Sequence, residues 1–373
     1  MSRCSFNKLH VMLEPRLDSI FFPKGGGKRD VKRCRYLIDT KTRLSIALRF
    51  FAGADPLDLM QVHDVGLISV YYSVFGVIDA INQTEGLAYK FPDHNRQKEI
   101  ARGFRRKSGA GFDNVVGAID GLVICTIMPP LALCRELECG QTSFHNCRKD
   151  KYGLNLQAIC DHTLRIIWAE IKWPAATSDY MAWVTSSLCM ALEDNANTKI
   201  ILDGFTIIGD NAYVKKMFMA TPLKGMRKDY EDGFNFYHSQ LRITIERCFG
   251  VLVHRWAILR APLNIPLQKV PPLIESLIRL HNFCIDENEI KIITVENKNR
   301  NNLQRNVKIA RKKDGGNSRL VDIDEEGRPV SLLGHGHHFK DTESYRFERN
   351  LSDTPMDRMI ASVAKQGLCW PKY

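Results

Sequence analysis

Three acids in this 373-residue chain stand where a carboxylate could do chemistry. Asp120 interrupts an apolar, strand-like run, NVVGAIDGLVICTI, and is followed by Gly121. Buried in a sheet and unpaired, such a group would be costly. Asp210 closes another β-run, IIGD, at the handover from strand to loop, where open α/β sheets gather their functional groups. Glu246 lies in a long helical pattern, on the face of Ser239, Arg242 and Gly250 and beside the apolar stripe Leu241, Ile245, Phe249, Leu252 and Trp256. If the two strands are neighbours and the helix packs on their sheet, the three acids converge as oxygen donors suited to Mg²⁺. Such a cluster would serve two-metal phosphoryl transfer, one ion activating a water or 3′-hydroxyl and the other stabilising the leaving oxygen. Taken singly, the plainer reading is the stronger: an Asp after a strand is usually a turn residue, and Glu246 can pair with Arg242 at i,i+4.

Other candidates surround these. His238 and Arg242 share a helical face with Glu246, so either could touch a scissile phosphate or orient a metal ligand, although a polar helix stripe looks the same. Asp161 and Asp179 could be further metal neighbours, but ending a strand and capping a helix are the commoner roles. Cys134, Cys139, His145 and Cys147 have ligand chemistry without a C-x2-C knuckle, which favours a reduced-thiol loop over zinc. The stretch Asn95–Ser108 holds six Lys/Arg against one Glu, and Arg102, Arg105, Arg106 and Lys107 are its candidate phosphate contacts. Arg148, Lys149 and Lys151 precede a strand that would run beside Asp120, where they could line a DNA channel; solvated charge is the competing reading for both segments.

The elements that must hold these residues follow from periodicity. Residues 1–40 carry Lys/Arg at nine positions and the run Gly25-Gly26-Gly27, and read as a basic arm. Residues 41–110 show short helical patterns separated by Gly53-Ala54-Asp55-Pro56 and Asp64-Val65-Gly66, the outline of a helix-turn-helix. Its second helix, Leu67 to Ile81, has no basic residue and one charge, Asp79, which suits packing better than base reading. Residues 111–286 alternate β-runs with helices: GLNLQAIC and LRIIWAEIKW follow the Asp120 run, then a helix near Tyr180 to Leu192, the run KIILDGFTIIGD, a long helix from Phe234 to Leu259 and another from Pro272 to Cys284. This order predicts an α/β fold, a mixed sheet with helices packed on it. Residues 287–330 read as a basic disordered linker, and 331–373 as a tail with one short helix in MDRMIASVAKQG.

Composition limits the classes. A formal charge of +11, from 53 Lys+Arg against 42 Asp+Glu, points toward a polyanionic partner. With 44% hydrophobic and 25% charged residues the chain is an ordinary folded protein, neither collagen, coiled coil nor wholesale disorder. No window of about 18 apolar residues reads as a membrane span, and the N-terminus lacks the pattern of a secretory signal. Eleven irregularly spaced cysteines suit reduced thiols in cytosol or nucleus.

Four phrases change the balance at the acids. GAIDG (117–121), RKDKYGLNLQAICD (148–161), IIGDNAY (207–213) and FNFYHSQLRITIERCFGVLVHRWAIL (234–259), followed by LIRLHNF (277–283), resemble in order and spacing the transposases of the PIF/Harbinger superfamily and the nucleases derived from them. The resemblance is strongest from Phe112 to Asn282, and Ser5 to Ile81 looks like the helical N-terminal part of the same family. It implies an RNase H-like catalytic core preceded by a helical region, with a DDE triad of Asp120, Asp210 and Glu246 holding two Mg²⁺ or Mn²⁺ ions. The 35 residues between Asp210 and Glu246 (211–245) are a spacing DDE enzymes use. Also implied are cleavage of DNA at element ends and joining to a target, a nuclear site of action, and a separate Myb/SANT-like protein that recognises the ends; whether the chain forms a homodimer is left open. Departures bear on activity more than on fold: Val214 follows Tyr213 where the family favours Pro, Ala175-Ala176-Thr177-Ser178 leads into Asp179 where it favours a Gly-Ser phrase, and Val253-His254 stands where a basic residue is often found. The helical region begins abruptly, as in a copy that lacks an upstream segment. The expectation is a metal-dependent DNA endonuclease and transposase; the rivals are a catalytically inactive or domesticated DNA- or protein-binding descendant and an RNase H-like nuclease acting on RNA.

Overall fold

The computed structural model describes residues 1–22, 38–194, 199–225, 229–288 and 354–368. The N-terminal part is helical from the start. α1 (Arg3–Phe21) opens on Ser2, whose side chain accepts from the Ser5 amide, and buries Leu9, Leu13 and Leu17, which recur every four residues on one face. The arm expected over residues 1–40 is therefore corrected for 3–21: basic residues occupy the outer face, and the leucine stripe decides the structure. Residues 23–37, with the triple glycine, lie outside the described residues.

α2 (Thr40–Phe51), α3 (Pro56–His63), α4 (Leu67–Gln83) and α5 (His94–Lys107) follow. Asp39, Asp55 and Asp93 cap α2, α3 and α5 by accepting from the amides of Thr42, Leu57 and Arg96. Asp64, in the left-handed region at φ 50°, turns the chain from α3 toward α4. α4 packs against α1, α2, α3 and a later helix, α10 (Val270–Asp286), with Val70, Val74, Val77, Ile78 and Ile81 buried. This packing accounts for the buried part of its apolar composition, while Ile68 and Tyr72 are exposed. Among the described residues no single helix is long and apolar enough to cross a membrane.

The rest of the core is a six-stranded mixed sheet. β1 (Val115–Thr126) is its axis, with β3 (Lys151–Cys160) antiparallel on one side and β5 (Thr206–Ile208) parallel on the other. β4 (Ile166–Pro174) pairs antiparallel with β3 beyond it, the two-residue β2 (His145–Asn146) pairs antiparallel with the start of β3, and β6 (Met219–Ala220) lies parallel beside β5. α6 (Leu131–Glu136), α7 (Asp179–Val184) and α8 (Ser187–Glu193) fall in the connections. This mixed sheet flanked by helices is consistent with the RNase H-like fold that the resemblance implied. Two expected elements differ. The run KIILDGFTIIGD is a strand only over 206–208, because Asp203 and Gly204 make a turn in which Gly204 has φ +83° and Phe205 N–H donates to Leu202 O. The helix near Tyr180 to Leu192 is two short helices, α7 and α8, the second capped by Ser186.

α9 (Asp229–Arg255) crosses one face of the sheet. Near its start His238 reaches Ala220 O on β6 at 3.2 Å, midway Arg242 faces Asp120 on β1, and farther on Cys248 donates to Leu164 O in the β3–β4 turn at 3.2 Å. Leu241, Ile245, Cys248 and Leu252 are its fully buried stripe. α7 and α8 cover the opposite face, where Trp183, Leu188 and Leu192 join Val116, Ile119 and Ile159 in a second apolar layer. α10 fastens the sheet to the helical part: Asn282 takes the N–H of Ile166 and donates to its carbonyl, His281 meets Leu164 O at 2.8 Å, and Asn82 of α4 donates to Pro272 O. α11 (Pro355–Lys365) is the tail's expected helix; a Thr354/Asp357 capping box starts it, and it packs on α9 with Met356, Met359 and Val363 buried. Residues 289–353, which contain nearly all of the segment read as a basic linker, lie outside the described residues.

Candidate active site

The register of the sheet places two of the acids. β1 and β5 are parallel with Ala118 opposite Ile208. Asp120 lies two residues farther along β1, on the face that Ala118 shares with α9, and Asp210 lies two residues past the end of β5, near enough to raise the Asp120 carboxyl. Glu246 comes from α9, and Arg242, one turn before it, joins the helix to the strand: Arg242 Nη1 is 2.6 Å from Glu246 Oε1 and 3.9 Å from Asp120 Oδ2. The structure thus brings Asp120, Asp210 and Glu246 to one region of the sheet, from β1, the end of β5 and α9.

Local bonds fix the two aspartates. Asp120 Oδ1 accepts from the Gly121 N–H at 2.8 Å, and Asp210 Oδ1 accepts from the Ala212 N–H at 2.8 Å, an Asx turn that folds the loop after β5 back on itself. Burial pushes the Asp120 carboxyl up to about 6; the Gly121 bond opposes this, Asp210 and Asp179 add to it, and Arg242 opposes it. Asp120 is the most enclosed of the pair on α9's face: its side chain is 21% exposed, against 47% for Glu246.

A buried polar chain behind the sheet was not legible as a unit. Asp179, first residue of α7, accepts at Oδ1 from Asn155 Nδ2 (3.0 Å) and Gln157 Nε2 (2.9 Å), and Gln157 Oε1 accepts from the Tyr213 hydroxyl at 2.7 Å. Tyr213 belongs to the loop that begins with Asp210, and burial holds its phenol well above the ordinary range. Asp179 also lies against Gly121, where an added Cβ would meet Asp179 Oδ1 at 2.0 Å, so the residue after Asp120 has room only for hydrogen. The signal available in sequence was the pair Asn155 and Gln157, two polar residues at period two inside an otherwise apolar strand. Asp161, by contrast, is the fully buried residue that turns β3 into β4, accepting from Thr163 and Arg165 amides and the Thr163 hydroxyl.

The positively charged candidates divide into three groups. Arg102, Arg105, Arg106 and Lys107 are exposed on α5. Lys107 donates to His162 O in the β3–β4 turn and lies near Arg247 of α9, so this group sits at the start of β1. Arg148, Lys149 and Lys151 are exposed around the turn before β3, at the opposite end, since Tyr152 pairs with Thr126. Thr126 is six residue steps along the strand from Asp120, on the order of 20 Å. His238 is corrected as a phosphate contact: it is fully buried, its Nε2 meets Ala220 O, and burial lowers its pKa to about 4. Arg242 faces the acids. Of the cysteines, Cys134 is buried beside Cys139, while His145 meets Asp150 at 3.0 Å and Cys147 at 3.9 Å.

Among the described residues no three His, Cys, Asp or Glu side chains are drawn together closely enough to hold an ion. The donor set at the three acids nevertheless fits Mg²⁺ or Mn²⁺: all of it is carboxylate, and Asp120 is enclosed near Asp210 and Asp179, a place where added positive charge is favoured. Asp120, Asp210 and Glu246 are the residues that would hold it.

Comparison with known proteins gives the central part of the chain a family. Residues 119–282, which contain all three acids, match the family described as DDE superfamily endonuclease. The chain is similar to HARBI1, a protein named as a candidate nuclease: it is 24% identical to the Bos taurus protein over 262 residues, covering 69% of this chain and 70% of the relative. Identity is 22% with the Homo sapiens protein and 26% with that of Mus musculus, over the same shares. No solved structure matches the chain.

Proposed function

We propose that this chain, whose residues 119–282 match the DDE superfamily endonuclease family, is a divalent-metal-dependent DNA endonuclease and strand-transferase of Harbinger type, acting in the nucleus through Asp120, Asp210 and Glu246. The observation that carries the reading is Arg242, which joins Asp120 on β1 to Glu246 on the crossing helix α9, with Asp210 just past the end of β5 near enough to raise the Asp120 carboxyl. Bound there, divalent ions would lower the pKa of a water or 3′-hydroxyl and neutralise charge on the leaving oxygen.

The protein's own part is positional. Asp120 Oδ1 is held by the Gly121 amide and Asp210 Oδ1 by the Asx turn, which fixes each carboxylate at its place on the chain. A carboxylate pair held this way presents concentrated negative charge, which a bare phosphodiester would avoid; charge neutralisation must precede DNA approach. The exposed cations of α5 and of 148–151 flank the site along β1 and suit contacts to backbone phosphates, which position a duplex without reading its sequence. The second helix of the helix-turn-helix outline, α4, carries no basic residue, which suits delegated end recognition by a Myb/SANT-like partner. The test is nicking of supercoiled plasmid and of duplexes carrying the element's ends, with Mg²⁺, Mn²⁺ or chelator, with and without such a partner. Metal-dependent cleavage supports the reading; a folded, metal-saturated protein that leaves DNA intact in every combination overturns it.

A further inference from the structure

We infer that Arg242 is a place-holding cation: it bridges Asp120 and Glu246 until divalent metal loads, and loading requires it to leave Glu246. The inference rests on the metal-binding reading above and adds a residue to it. One nitrogen, Nη1, serves both acids, at 2.6 Å and 3.9 Å. Among the described residues no other Lys, Arg or His forms an ion pair with Asp120, Asp210 or Glu246. Asp120 is mostly removed from water, so its charge must be met from within the protein, and Arg242, itself only 23% exposed, is what meets it. Glu246 is half exposed at the helix surface and can turn. A guanidinium cannot be neutralised by losing a proton, so a metal ion competing for the same oxygens has to displace it bodily. The arrangement also explains how a cluster of acids on one sheet face is tolerated in the metal-free fold: Arg242 keeps Glu246 drawn toward Asp120, close to where a metal would need it.

An ordinary i,i+4 helix pair would share the 2.6 Å contact but would have no bearing on metal. The two are separated by titrating the full-length wild type, Arg242→Gln and Arg242→Lys with Mn²⁺ alone in a calorimeter, and by melting each in chelator and in saturating Mn²⁺. Place-holding predicts that Arg242→Gln melts lower in chelator, gains more from Mn²⁺ than wild type does, and binds Mn²⁺ roughly two- to fivefold tighter, the range an ion pair of this exposure corresponds to. Arg242→Lys, which keeps the charge, should bind Mn²⁺ with nearly wild-type affinity. Unchanged or weaker Mn²⁺ binding by Arg242→Gln, in a protein whose circular dichroism matches wild type, overturns the inference while leaving the metal site standing. Wild type that binds no Mn²⁺ overturns both readings together. Arg242→Lys binding as tightly as Arg242→Gln would also refute it, since charge would then not be the cause.

Discussion

Replacing Asp120 by Asn should make the metal-free protein more stable at neutral pH, although the same change removes a metal ligand. Burial, reinforced by Asp210 and Asp179, raises the Asp120 carboxyl from 3.8 to about 6. A group whose folded pKa is raised holds its proton longer in the native state than in the unfolded chain. Its contribution is therefore fully present below 3.8 and is lost as pH rises through about 6. A shift of this size corresponds to about 3 kcal/mol lost above pH 7, at 1.36 kcal/mol per unit. Asn keeps the acceptor for the Gly121 amide and never ionises. In chelator, wild type and Asp120→Asn should melt together near pH 4, and the variant should gain about 1–3 kcal/mol by pH 7.5, a few degrees in Tm. Thermal unfolding by circular dichroism between pH 4 and 8 reads this directly. Adding Mn²⁺ should reverse the order, because only wild type retains the full donor set. A gap between the two proteins that is the same at every pH, or a variant less stable at pH 7.5 in chelator, would refute the claim that Asp120 is enclosed among like charges.

Tyr213→Phe removes the hydroxyl that donates to Gln157 and leaves a buried amide oxygen unmet, which should cost about 1–3 kcal/mol in a urea melt and lower cleavage by loosening the loop that begins at Asp210. Substituting Arg102, Arg105 and Arg106 together by Ala should weaken binding to unrelated duplexes alike and reduce the slope of log affinity against log salt by about 2–3, measured by fluorescence anisotropy; an unchanged slope would remove α5 from the DNA path. His238→Gln should leave duplex affinity unaltered, because the ring is buried, and should flatten the acid limb of stability: with its folded pKa lowered to about 4, His238 contributes fully above 6.5 and its contribution is lost as pH falls through about 4.

The sheet and its site were legible where the local pattern and the tertiary role coincide. Asp120 was conspicuous because an acid inside VVGAIDGLVI breaks an apolar strand, and Glu246 because its helix is long enough for its stripe to be read. The register that sets Asp120 beside Asp210 is a non-local fact, carried by the pairing of Ala118 with Ile208, and periodicity is silent on it. α1 was misread because Lys/Arg counting outweighed three leucines at helical spacing and Pro15 interrupts the pattern. His238 and Arg242 lie one turn apart on the same helix, so spacing treated them as equivalent; only packing shows that one is buried against Ala220 while the other faces two acids. The Tyr213–Gln157–Asp179 chain joins residues from the loop after β5, β3 and the start of α7, and no single stretch of sequence displays it.

In the proposed function Asp120, Asp210 and Glu246 together form one metal-dependent catalytic centre. The measurement that bears on it most directly is plasmid nicking by wild type beside Asp120→Asn, Asp210→Asn and Glu246→Gln, each shown to be folded, with Mn²⁺ or Mg²⁺ and with chelator. Cleavage by wild type is expected only with metal, with loss of at least about 100-fold in each variant, the scale on which removing one electrostatic partner of a transition state acts. Cleavage that persists in any one of the three variants, or in chelator, would contradict it.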